Sequence, residues 1–145
     1  MRLAAFIVGC WVFLASPSNA QELISPDAFL DIAVGKTLTF NRFGSGELVG
    51  TEEFLSRELS VWRWATGECV YGKIAVEGNQ LCFYYEGDPM APDCWWPFRD
   101  EDRLLVRFAN LSIGSIQEVT SITDDTLNCP TLPTAGLIGE IAPAG

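Results

Sequence analysis

Four cysteines, Cys69, Cys82, Cys94 and Cys129, constrain this chain more than any other feature, because they lie beyond an N-terminal segment built for export and the first three stand among most of its tryptophans and tyrosines. An even set of cysteines in a small exported chain reads as two disulfides, since the compartment beyond the inner membrane is oxidising. The intervals between them are twelve, eleven and thirty-four residues, so no C-x-x-C pair exists to serve as a redox couple or half of a zinc knuckle. With no histidine in the sequence, zinc would need four thiolates or a carboxylate among them. Neither a metal nor a cofactor is expected. Three pairings are possible and spacing leaves them open. The favoured arrangement joins Cys82 to Cys94 across a hairpin and Cys69 to Cys129, which staples the C-terminal segment onto the sheet.

The export segment spans residues 1–20. Met1 and Arg2 form a short positive start, Leu3 to Ala15 an almost unbroken apolar run, and Ser18-Asn19-Ala20 the small residues a signal peptidase cuts after. Cleavage there leaves Gln21 first. The run is about 13 residues against the roughly 20 that cross a bilayer as a helix, and no second stretch like it follows. Ile7-Val8-Gly9-Cys10 loosely resembles the lipidation motif of bacterial lipoproteins, but that cut would leave Trp11-Val12-Phe13-Leu14 as an apolar start to a tether. Ordinary cleavage is therefore expected, with Cys10 leaving in the leader.

About 125 residues remain, enough for one domain with a single core. The chain has nine Lys and Arg against nineteen Asp and Glu, and the leader removes only Arg2, leaving eight against nineteen and a net charge of −11. Nucleic acid and anionic membrane surfaces are poor partners for such a surface; a basic protein, a cationic peptide or a divalent cation remains open, and solubility outside the cytoplasm is the favoured explanation of the charge.

Ser25 to Ala33 predicts a short helix, with Ser25 as N-cap, Pro26 in the first turn and Asp27 complementing the dipole. Phe29, Ile32 and Ala33 would share its buried face. From Lys36 onward, short runs of β-branched and aromatic residues alternate with turn chemistry, the pattern of an antiparallel meander. Eight strands are expected, near residues 36–43, 47–54, 58–64, 69–76, 81–85, 94–99, 104–109 and 115–122. Residues 21–129 would thus form a disulfide-stabilised β domain, and residues 130–145, with prolines at 130, 133 and 143, a flexible tail.

Strict alternation places Leu81, Phe83 and Tyr85 on one face of their strand and Cys82 and Tyr84 on the other, and both faces are apolar or aromatic. The same holds for Cys94 to Phe98, although Pro97 would push that strand toward an edge. Trp62 and Trp64 point together, opposite Val61 and Arg63. A strongly curved sheet or small barrel accommodates this two-sided burial better than a flat sheet with one wet face.

For catalysis the inventory is poor. Without histidine there is no Ser-His-Asp or Cys-His arrangement. Glu52-Glu53 in a strand point to opposite faces, and Asp100-Glu101-Asp102 and Asp124-Asp125 read as solvated loops, with no EF-hand pattern to make Asp100-x-Asp102 a calcium loop. The glycines form no phosphate-binding motif. No catalytic residue is assigned. The aromatics are the one candidate ligand surface: Trp62, Trp64, Tyr84, Trp95 and Trp96 are dense enough to line an apolar or sugar-stacking cavity at the mouth of a small barrel, in competition with a plain packed core.

Gly35-Lys36-Thr37-Leu38, Trp62-Arg63-Trp64-Ala65-Thr66-Gly67-Glu68-Cys69, Cys82-Phe83-Tyr84-Tyr85-Glu86 and Cys94-Trp95 through Phe98-Arg99 together resemble a group of small exported proteobacterial proteins of unknown function. The resemblance implies export, disulfides and β architecture, and carries no activity with it. The expectation is a periplasmic or secreted, non-enzymatic β module that binds a small apolar ligand or an envelope protein. The rivals are a hydrolase using a carboxylate pair, with Glu86 and Asp93 nearest the aromatic hairpin, and a structural envelope component.

Overall fold

The computed structural model describes residues 21–110 and 115–130; the expected leader and most of the expected tail lie outside them. The elements are β1 (Glu22–Leu23), α1 (Pro26–Ala33), β2 (Thr37–Arg42), β3 (Leu48–Phe54), β4 (Leu59–Trp64), β5 (Cys69–Glu77), β6 (Gln80–Tyr85), β7 (Asp93–Asp100), β8 (Arg103–Phe108) and β9 (Ile116–Thr123). Strands β2 to β9 each pair antiparallel with their neighbours in sequence, and β9 returns to pair with β2, closing an eight-stranded up-and-down barrel. The eight expected strands are therefore present and closed on themselves. The two-residue β1, which the sequence pattern did not signal, adds to β7 through Glu22↔Arg99 and Leu23↔Phe98.

Turn chemistry sets these pairings locally. Between β5 and β6 the hairpin closes with Glu77 opposite Gln80, and Gly78 takes a φ of +62° that a side-chain-bearing residue rarely adopts. The helix is capped as its sequence predicts: Ser25 Oγ accepts from the Ala28 N–H at 3.1 Å, and Pro26 opens the first turn. Its buried face is Pro26, Phe29, Leu30 and Ala33, so Leu30 takes the place expected for Ile32, which is only half-buried. The i, i+3, i+4, i+7 stripe beginning at Pro26 is the one turned toward the barrel. Arg57, in the turn between β3 and β4, bridges Asp27 and Asp31 of the helix at 2.7 Å each and anchors its outer side.

Inside the barrel, Leu38, Phe40, Phe54, Trp62, Ile74 and Phe83 join the helix residues in one buried cluster. Phe29 packs edge-on against Phe54, and Phe54 edge-on against Phe83, so the helix closes one end of the barrel. Pro97 does not sit at an edge. It is fully buried opposite Val106, and its carbonyl accepts from the Ile24 N–H at 3.2 Å. Strand β6 pairs with β7 only as far as Trp95, and β1 takes over beyond it. Proline's missing N–H thus falls where β7 passes from one partner to the other, a position that tolerates the loss as an edge would.

Both disulfides are formed in the favoured arrangement, Cys69–Cys129 and Cys82–Cys94. The second joins directly opposed residues of β6 and β7. The first fixes a strap, residues 124–130, across the outside of β3, β4 and β5. Glu53 accepts from the Leu127 N–H at 2.9 Å, Arg63 donates to the Leu127 carbonyl at 3.1 Å, and Tyr71 donates to the Pro130 carbonyl at 3.0 Å. These three side chains surround Val61 on the outer face, and Val61 and Leu127 are both buried. The barrel is thus apolar inside and, at this patch, covered outside. Among the described residues no helix is long and apolar enough to cross a membrane.

The Cys69–Cys129 bridge closes 60 residues and the Cys82–Cys94 bridge 12. Loop-closure entropy then favours the first, at about 4 kcal/mol against about 3 kcal/mol. Denaturant unfolding of the paired Cys→Ser variants should show the larger loss for Cys69/Cys129, with exposure of Val61 and Leu127 adding to it. Equal losses, or the reverse order, would show that the strap adds little.

Candidate functional site

Between the helix and the opposite end, the barrel interior keeps a cavity of about 80 Å³, against the roughly 10–15 Å³ that admits one water. Phe29 forms its floor; Trp64, 46 % exposed, stands at its mouth. The walls carry the rings of Phe40, Trp62, Phe83, Tyr85 and Trp95, with aliphatic side chains between them. Three polar side chains reach the lining besides the tyrosine: Glu52, Asp93 and Gln117. Among the described residues, no lysine or arginine does.

Small residues in the barrel wall decide how these rings lie. A Cβ on Gly50 would stand 2.2 Å from Trp62 Cζ2, so the Trp62 indole lies directly over the β3 backbone at a place that only glycine leaves free. On the other side, Tyr85, Gly72 and Ser60 are successive partners across β6, β5 and β4. The Tyr85 ring lies over Gly72, whose Cβ would come within 2.7 Å of it, and its hydroxyl reaches past Ser60 to donate to Glu52 Oε2 on β3 at 2.9 Å. Phe83 stacks beside it, 7° from parallel. One tyrosine therefore spans two strands because the two residues beneath it are small.

Glu52 is the least expected member of the lining. It is 2 % exposed, directly opposite Trp62 across β3 and β4, while its neighbour Glu53 faces out to the strap. The Tyr85 hydroxyl serves one carboxyl oxygen; Oε1 has no hydrogen-bond partner. Ser60 Oγ is near enough to bias the carboxyl yet closes no hydrogen bond of good geometry, and Trp62 Nε1 is likewise buried without a partner. Burial pushes the Glu52 carboxyl up to about 8, and the Ser60 and Tyr85 hydroxyls pull it down by less. At neutral pH it is chiefly a neutral acid. Burial raises the Tyr85 hydroxyl as well, with the nearby Glu52 and Asp93 carboxyls adding to the effect. Asp93, half-buried at the start of β7, is raised by desolvation first and then by the charge of Asp88.

Of the five aromatics singled out in the sequence, the barrel brings Trp62, Trp64 and Trp95 to the cavity. Tyr84 and Trp96 are not brought there. Tyr84 is exposed on the outer face of β6 and donates to Glu77, and Trp96 lies outside β7 beneath the Arg107 guanidinium, 5.2 Å from the ring centre. Alternation with Cys82 and Cys94 would have placed both on the outer face. Of the two acids flanking the hairpin, Asp93 lines the cavity, whereas Glu86 is exposed and does not. Glu77 approaches Cys82 and Cys94 closely enough for the three ligand atoms to lie within 4.8 Å of one another, but the sulfurs are joined to each other and present no thiolate to a metal.

The Glu52 carboxyl carries a pH dependence of known sign. Below its ordinary value of 4.5 it is protonated folded and unfolded alike; between 4.5 and about 8 only the folded chain holds the proton, so stability falls as pH rises. The slope from this group is at most about 1.4 kcal/mol per pH unit. Glu52→Gln should therefore gain on the wild-type protein from pH 5 to about pH 8 in parallel denaturant titrations. Parallel pH profiles for the two proteins would exclude a buried neutral acid at this position.

No family model matches the chain, and no curated protein or solved structure matches it. The chemistry of the cavity is thus the ground on which function rests.

Proposed function

We propose that this protein is an exported, non-enzymatic β-barrel binder that takes one small, largely apolar ligand into its interior. The observation that carries the reading is the cavity itself. An eight-stranded barrel is narrow enough for side chains to fill it or for one small ligand to be held, and this one leaves about 80 Å³ ringed by aromatic side chains. Trp64 at the mouth and Phe29 at the floor give it a direction of entry. The apolar wall supplies affinity through area removed from water, and the few polar groups supply orientation.

Export is supported by the leader pattern of residues 1–20 and by the two disulfides, which persist in oxidising compartments. A periplasmic or secreted location follows from the same reasoning and agrees with the group of exported proteins that the motifs resemble. The hydrolase reading has less support, because Glu86 stands away from the cavity and Tyr85 already occupies one oxygen of Glu52.

Two measurements test the proposal. The intact mass of the protein recovered from its native cells should correspond to a chain starting at Gln21 with two disulfides; a chain still carrying residues 1–20 would contradict export by cleavage. Titration with neutral aromatic alcohols of graded size, such as 2-phenylethanol, should quench tryptophan fluorescence with one-to-one saturation. Gln117→Trp, which fills the lining, should abolish this while leaving the circular dichroism of the barrel intact. Failure of every member of the series to bind saturably would remove the binder reading.

A further inference from the structure

The lining of the cavity has an uneven chemistry. It contains two carboxyl side chains, Glu52 and Asp93, from β3 and β7, and no basic side chain among the described residues; rings make up most of the remainder. Glu52 lines the cavity, is buried, and keeps one oxygen without a hydrogen-bond partner, so its carboxyl has no fixed counter-charge within the barrel. Aromatic faces attract cations through their quadrupoles, most strongly when water is excluded. An anionic guest would oppose the ionisation of two acids and find no basic partner in the lining, and a neutral guest would gain nothing from their charge. Resting on the binder reading above, we infer that the interior site is selective for an organic cation: a protonated or quaternary amine on a small apolar or aromatic body, its charged end directed at the Glu52 carboxyl and its approach favoured by Asp93 and by the acidic surface.

A purely structural role for Glu52 leaves more unexplained. A buried glutamic acid that only held Tyr85 would satisfy one oxygen, and a glutamine would do so without the risk of ionisation. Glutamate instead keeps a removable proton beside a cavity. The groups beside it are the Tyr85 hydroxyl from β6 and Ser60 and Trp62 from β4, while Asp93 from β7, with Asp88 near it, shares the cavity lining; none is a cation that would already neutralise it. An entering ammonium ion supplies that counter-charge, and the Glu52 proton leaves to solvent. With a value near 8, roughly one Glu52 in ten is already ionised at pH 7, so removing the proton costs only about tenfold in affinity. The buried ion pair and the surrounding rings act against that cost in a site of low dielectric.

The test uses the oxidised protein and three probes of one shape: 2-phenylethylammonium, 2-phenylethanol and phenylacetate, titrated calorimetrically at pH 7 in buffers of different ionisation enthalpy. The ammonium should bind about tenfold or more tightly than the alcohol, releasing close to one proton, and the carboxylate should not bind measurably. Glu52→Gln should shrink the ammonium-to-alcohol preference to within about threefold and abolish proton release, and Asp93→Asn should shrink it partially. If Glu52→Gln fails to fold, Asp93→Asn and the wild-type proton count decide the matter. Alcohol binding as tightly as the ammonium, or ammonium binding without proton release, overturns the cation selectivity and leaves the apolar binder standing. Absence of binding by all three overturns both.

Discussion

Closure of the meander by the β9–β2 pairing is the constraint from which the rest of the structure follows. An open sheet of these strands would expose two edges and leave one aromatic face to water. Closing it removes the edges and turns alternate residues of every strand into a shared interior. That interior is then too crowded for its rings to stand upright from every strand. Gly50 and Gly72 relieve the crowding by letting Trp62 and Tyr85 lie down across the wall. The space above those rings is the cavity.

The same closure determines the electrostatics. Once β3 is part of a closed wall, the parity of its strand forces one member of the Glu52-Glu53 pair inside. The inner carboxyl loses its hydration and rises to about 8, while the outer one binds the Leu127 amide of the strap. The two acids are chemically identical and adjacent in sequence. Their roles differ because a period of two separates the low-dielectric interior from a hydrogen-bonded surface.

Stability and binding draw on separate parts of the molecule. The helix closes one end, the strap covers Val61 on the outside, and the disulfides lie in the wall and at the strap rather than in the cavity. The interior can therefore carry unpartnered polar atoms, a cost of the kind binding sites commonly bear, while the shell holds the barrel closed.

Much of the architecture was legible in residue order, because alternation and turn chemistry act over a few neighbours: the capped helix at Ser25, the eight strands, the shared facing of Trp62 and Trp64, and the opposite facing of Glu52 and Glu53 are all local consequences. The cysteine pairing was favoured from hairpin logic for Cys82 and Cys94, yet spacing left it open, since nothing local fixes where Cys129 ends. Pro97 was read as an edge signal because its missing donor needs a vacant side. The tertiary structure supplies that side within a closed wall, where β6 stops and β1 begins. Tyr84 and Trp96 were grouped with the cavity aromatics by density in sequence, whereas barrel parity turns them outward. Only the closed barrel made Glu52 a buried acid under Tyr85, because that contact joins β3 to β6 across two intervening strands. Local pattern determines which face a side chain occupies; only closure decides what it meets there.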